Sequence, residues 1–296
     1  MKEPLLEQND HLHKPTIHEL GVDLLDLSAF KVLLTLITPF VFCGLYFVFA
    51  LYGYWIPAVL CTVALSFATY GSTSHDLVHR NLKINETLNE FLLSAVELIC
   101  FRSGHAYRLS HLYHHKRFPH EDDVEGAASR MTLFGSLLEG VVFQIKLYGW
   151  AVKNFKRKKE LYIILAEGIA VVFLAALCIF SWNYYTVVGV VYFCLMIMGS
   201  WIIPLTTSYA VHTPEGNTEL HQTRLFRGKF FSWIAFDHLY HLEHHLYPMV
   251  PHKNWPVLAK RLDPYFQKQK IHPLVFDLKN GGVLFHEDND GQKNTA

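Results

Sequence analysis

The stretch VLLTLITPFVFCGLYFVFALYGYWIPAVLCTVALSFATYGSTSH, residues 32–75, holds no Asp, Glu, Lys or Arg in 44 positions. One crossing of a bilayer core takes about 20 residues, so it has room for two helices and a turn. The turn falls at Gly53-Tyr54-Trp55-Ile56-Pro57, where proline and aromatics suit the membrane–water interface. A second charge-free stretch runs from Gly168 to Pro214, 47 residues, and breaks around Ser181-Trp182-Asn183-Tyr184-Tyr185. The reading is an all-α, multi-pass integral membrane protein with four spans, near 31–52, 56–75, 161–180 and 186–208.

Working outward, three lysines precede Val32, thirteen Lys or Arg lie between Asp76 and Glu160, and ten follow Pro214. Neither short turn carries a cation, so two helical hairpins enter from one face and return to it. The positive-inside rule makes that face cytoplasmic, with both termini there. No cleavable signal peptide is expected. The division expected is a cytoplasmic segment over 1–30, a membrane domain over 31–262 and a polar tail over 263–296, frayed from Glu287 onward. Leu88–Ile99 and Met131–Trp150 look amphipathic and are expected in the interface or under a cytoplasmic helical cap. Lys156–Lys159 reads as an anchor to anionic lipid. Lys plus Arg equal Asp plus Glu at 26 each, which gives no reason to expect a nucleic-acid partner.

Cys43, Cys61, Cys100, Cys178 and Cys194 sit in or beside apolar stretches without a CxxC, and read as small core residues. Histidine is the anomaly, at 19 residues and clustered. Box one, His75-Asp76-Leu77-Val78-His79, puts two imidazoles on one helix face where the second span ends. Box two is His111-Leu112-Tyr113-His114-His115, and box three repeats it as His241-Leu242-Glu243-His244-His245. In each triplet the adjacent His turns about 100° round the helix, so a triplet can serve two ions. Eight imidazoles at one location need an ion to organise them. His212, at the exit of the fourth span, is a ninth candidate. His238 and His120 flank boxes three and two and are weaker ones. Asp76, Asp237 and Glu243 are candidates to accept the second ring N–H of a ligand.

Imidazole suits zinc, copper, iron and nickel alike. A single catalytic zinc needs three protein ligands and an open position, so eight or nine histidines fit two ions better. No HExxH occurs, because Asp76 stands where a zinc protease places its glutamate.

The trio HDxxH, HxxHH and HxxHH around two membrane hairpins resembles the membrane fatty acid desaturase superfamily, over roughly Val32 to Leu262. His241–Pro251 is especially similar to the third box of that family and the proline-containing turn after it. The resemblance implies two iron ions at the cytoplasmic membrane face, held by His75, His79, His111, His114, His115, His212, His241, His244 and His245. It implies O₂ as oxidant, two electrons from outside and attack on an unactivated C–H bond. The substrate implied is a lipid or acyl chain, most readily for desaturation. Several acyl desaturases begin box three with Gln, however, where this chain has His241. Lys116–Asp123 is loosely similar to carotenoid enzymes, and hydroxylation or ketolation of a lipid or carotenoid stays open. His272-Pro273 continues as Leu274-Val275, so no fused cytochrome b5 is expected. A separate ferredoxin or cytochrome b5-type donor then supplies the electrons.

Two different readings remain beside it. A metal transporter would use the histidines as a relay, although relay ligands should lie near the bilayer midplane. A zinc hydrolase would need one ion only. Glu167, early in the third span, is expected to snorkel toward the cytoplasmic edge.

Overall fold

The computed structural model describes residues 13–228, 237–277 and 282–284. The expected fraying from Glu287 onward lies outside them. Four apolar helical runs are long enough to cross a membrane: Val22–Leu51, Trp55–His79, Lys158–Tyr184 and Val188–Tyr209. They mark a membrane protein and coincide to within a few residues at the turns with the four expected spans. Short α1 (Ile17–Leu20) precedes the first run, in which Ser28 caps α2 (Ala29–Leu51) by accepting from the Lys31 N–H. Helix α3 (Trp55–Ala68) follows the Gly53 turn, where φ is 79°. Tyr46, Leu65 and Met196 meet in a buried cluster that joins α2, α3 and α9 (Val188–Ser200).

Both even-numbered runs change winding before a histidine. Thr69–Thr73 and Leu205–Tyr209 are single π-helical turns, leading into His75 and His212. A π-turn inserts one residue and re-aims everything after it. Threonine hydroxyls bond backward across both turns, Thr69 to the Leu65 carbonyl and Thr207 to that of Ile203. Beyond the first turn, α4 (Ser74–His79) ends at Arg80 in the left-handed conformation, φ 59°.

Helices α5 (Glu86–Leu98), α6 (Gly104–Arg117) and α7 (Leu133–Asn154) lie between the second span and α8 (Lys158–Tyr184). Leu77, Leu93, Tyr107, Phe143, Leu147 and Ile164 make their common core. A Cβ on Gly140 would lie 1.9 Å from the Trp201 carbonyl oxygen, so glycine allows α7 to pack against the end of the fourth span. The outer face of α7 exposes Leu133, Phe134, Leu138, Val141 and Ile145. Such a contiguous apolar face suits lipid contact.

Helices α10 (His241–Leu246) and α11 (Trp255–Lys268) close over the histidines with the N-terminal segment. Trp255, Leu258, Leu262 and Phe266 recur at helical spacing and bury against Leu20, Leu24 and Leu242. That stripe carries α11 through residues 262 and 263 without a break. The fold is mostly helical, but the all-α reading missed a small sheet: β1 (Phe226–Arg227) pairs in parallel with β2 (Leu274–Asp277), which pairs antiparallel with β3 (Gly282–Leu284). These strands are too short to show a period in sequence.

Candidate metal centre

Box two sits on α6, whose N-terminus is capped by Ser103. Its neighbours on the helix face two different groups of nitrogen atoms. His75, His79, His111, His115 and His244 each bring one ring nitrogen to within 4.8 Å of the others. His114, His212, His241 and His245 do the same in a second group. The 100° turn between adjacent residues thus divides His114 from His115, and His244 from His245. All nine sequence candidates are brought together. His120 is exposed and outside both groups, whereas His238 is buried, 5.3 Å from His241 between ring centroids, yet in neither.

The rings meet through Nε2. In the five-membered group His75 and His244 are 3.0 Å apart, His244 and His115 2.8 Å, and His115 and His111 3.1 Å. In the four-membered group His212 lies 3.2 Å from His114, 3.1 Å from His245 and 3.3 Å from His241. Ligands about 2.1 Å from one ion and at right angles to each other would stand about 3.0 Å apart. The protons argue the same way. His212 Nδ1 donates to the Ser208 carbonyl at 3.1 Å, and His114 Nδ1 to Asp123 Oδ2 at 2.7 Å. A carbonyl and a carboxylate only accept, so each ring, when it carries a single proton, presents its lone pair at Nε2. Two lone pairs 3.2 Å apart repel unless a cation lies between them. His111, whose Nδ1 donates to Glu125 Oε1 at 2.9 Å, likewise turns a lone pair into the five-membered group.

Burial, reinforced by neighbouring imidazoles, holds the pKa values of His115, His212, His241, His244 and His245 well below the ordinary range. They are neutral at physiological pH, the form that binds metal. His114 differs. Burial opposes its charge, but Asp123 outweighs burial and raises its pKa, the effect by which a carboxylate increases ligand basicity.

Two of the three carboxylates expected to orient these rings bond elsewhere. Asp76 accepts instead from the His252 N–H at 2.9 Å, and Glu243 forms a buried ion pair with Arg227 at 2.5 Å. Asp237 is half-buried beside His238. Asp123 and Glu125 take the role, and the acidic run Glu121–Glu125 just after box two was the available signal. Its members divide: Asp122 turns outward to Tyr113 at 2.5 Å and Arg117 at 3.1 Å, while Asp123 and Glu125 turn in. Tyr70 adds a hydrogen bond to Glu125 at 3.3 Å and stacks on Tyr107.

Glu167 does not snorkel. It is 4% exposed and accepts from Ser94 at 2.5 Å, Ser103 at 2.6 Å, the His105 N–H at 3.1 Å and the His105 ring at 2.8 Å. Four donors satisfy the carboxylate inside the protein, so it has no need of the interface. It thereby ties α8 to the start of α6. A second buried pair, Glu97–Arg102 at 2.7 Å, accepts from Ser74 and reaches Thr69, bracing the first π-turn beside His75.

Comparison with curated proteins finds no match. The family model described as fatty acid desaturase matches residues 50–275, which include all nine histidines of the two groups and both π-turns. With that match covering most of its length, the chain belongs to the fatty acid desaturase family.

Proposed function

We propose that this protein is an O₂-dependent di-iron oxidoreductase acting on a membrane lipid, and specifically a fatty acyl desaturase. The observation that carries the proposal is the pair of histidine groups, with lone pairs converging at about 3 Å inside a family of oxidoreductases. On this reading His75, His79, His111, His115 and His244 hold one iron, and His114, His212, His241 and His245 the other. Iron bound there supplies the redox chemistry by which O₂, two external electrons and two protons convert a –CH₂–CH₂– unit to –CH=CH– with release of two waters.

The chain's own residues supply the rest. Asp123, Glu125 and the Ser208 carbonyl fix three ligand rings and their tautomers. Trp255, Leu242 and Leu246 pack around box three and exclude water. The two hairpins and the cation distribution support a cytoplasmic position for the centre, the cap and both termini. A transporter fits less well, because the ligands stand at the ends of spans and in the segments after them rather than at mid-span.

Box three begins with His241 rather than Gln, which keeps hydroxylation as the second reading. Mass analysis of lipids and pigments from cells with and without the gene separates the two. Desaturation predicts a product lighter by two hydrogens, while a gained oxygen atom would establish hydroxylation. No oxidised product in any lipid class would refute both.

A further inference from the structure

Asp76, in α4 at the end of the second span, has no solvent exposure. A carboxylate placed there gives up its hydration and needs a partner inside the protein. That partner is 176 positions away, where the His252 N–H donates to Asp76 Oδ1 at 2.9 Å. Two neighbours repeat the connection. Ser72 Oγ, in the first π-turn, lies 3.0 Å from His252 Nδ1. Asn81 Nδ2 donates to the Pro248 carbonyl at 3.0 Å and to the Val250 carbonyl at 3.3 Å. The Asn81 N–H in turn donates to the Asp76 carbonyl at 2.9 Å, which fixes the two side chains relative to each other. The turn after box three, residues 248–252, is thus fastened to both flanks and the middle of box one.

The turn carries this fastening to the ligands. The Val250 carbonyl that accepts from Asn81 also accepts from Trp255 Nε1 at 3.0 Å, and the His252 ring packs on the same indole at 4.7 Å. Trp255 lies 5.3 Å from His75 and 5.0 Å from His244 between ring centroids. Those two rings come from boxes one and three, and their Nδ1 atoms have no hydrogen-bond partner. Their Nε2 separation of 3.0 Å is therefore set by the backbone and by the indole rather than by bonds to the rings. The four-membered group has no such dependence on box one, which supplies it with no ligand.

We propose that Asp76 is a positioning residue of the five-histidine group: as a hydrogen-bond acceptor, and not as a charge, it docks the 248–252 turn and so sets the distance from box one to box three. Ser72 and Asn81 support the same docking. The inference rests on the reading that this group holds a metal ion. Removing the acceptor frees the His252 N–H and one end of the turn, so Trp255 and the two rings against it lose their register. An amide at position 76 keeps an oxygen where Oδ1 stands and preserves the docking.

Two measurements on full-length protein in detergent test it. The first is hydrogen exchange of metal-free protein, followed by mass spectrometry over residues 248–255. Asp76→Ala should exchange there about tenfold faster or more, and Asp76→Asn should recover the protection. Unchanged exchange in Asp76→Ala overturns the docking. The second is chelator competition after anaerobic loading with ferrous iron. Asp76→Ala should weaken one ion by about tenfold or more and the other by less than about threefold, while Asp76→Asn binds both as unsubstituted protein does. No weakening, or equal weakening of both ions, overturns the positioning of one group. Asp76→Asn behaving like Asp76→Ala would make the charge the active property and overturns the proposal as well. If Asp76→Ala does not fold, Asn81→Leu carries both measurements, with the same local exchange and the same weakening of one ion expected. If unsubstituted protein binds no ferrous iron while the exchange results hold, the docking stands and it is the metal reading that fails.

Discussion

The two histidine groups are built differently. In the four-membered group, two rings are oriented by hydrogen bonds at Nδ1, His114 by Asp123 and His212 by the Ser208 carbonyl. In the five-membered group only His111 is held this way, by Glu125, while the Nδ1 atoms of His75 and His244 have no hydrogen-bond partner. Packing takes over there: both rings lie against Trp255. The difference is one of degree: His241 Nδ1 in the four-membered group also lacks a partner, and His114 and His212 pack on Phe118, yet that group has two rings set by directional bonds and the five-membered group one. Helix α6 joins them, giving His111 and His115 to one and His114 to the other.

The largest test of this division is removal of one ligand from each group. His115→Ala and His245→Ala are each expected to lose one ion, keep the other, and lower turnover below detection while the protein still inserts in membranes. Loss of both ions from either variant would make the groups a single cooperative unit. Full activity in either would remove that residue from the ligand set.

Next come the carboxylates. Asp123→Ala should weaken the ion of the four-membered group by about 10–100-fold and Glu125→Ala that of the five-membered group by a similar factor, measured by chelator competition. Equal weakening of both ions by either substitution would mean that the carboxylates act on the fold and not on their own ring.

Acid should act on the metal-free protein through the depressed histidines. His115, His212, His241, His244 and His245 have folded-state pKa values below the unfolded value of about 6.5. As pH falls below about 6.5 the unfolded chain binds protons that the folded rings refuse, so stability falls. Thermal unfolding in detergent should show the midpoint of metal-free protein dropping between pH 7 and 5, and metal-loaded protein should resist until the ions leave. A midpoint that rises with acid would contradict the neutral, buried assignment.

The smallest effect concerns the element both groups share. Glu167→Ala leaves Ser94, Ser103 and His105 without their acceptor and should cost about 1–3 kcal/mol. Because Glu167 holds the start of α6, both ions should weaken together. Selective weakening of one would show that α6 does not transmit position as a rigid rod.

The positions of the spans and the nine histidines were legible because each depends on local pattern. Charge-free length marks a span, and the spacing within His111–His115 and His241–His245 fixes the helix faces. Their division between two groups follows from the 100° step between neighbours. The other features depend on contacts that no local pattern encodes. The π-turns at Thr69–Thr73 and Leu205–Tyr209 follow from where the spans must aim their next residues, and threonine is equally at home in an ordinary helix. Asp123 and Glu125 lie in an acidic run that reads as solvated until the chain after α6 folds back. Glu167 looked like an interfacial carboxylate because its donors, Ser94, Ser103 and His105, come from elsewhere in the chain.

The central claim is that the two groups hold one redox-active ion each. Elemental analysis of detergent-purified protein, with an independent protein concentration, tests it most directly. The account predicts close to two irons per chain. One zinc and no iron, in protein that still fails to consume O₂ after reconstitution with ferrous iron, would contradict it.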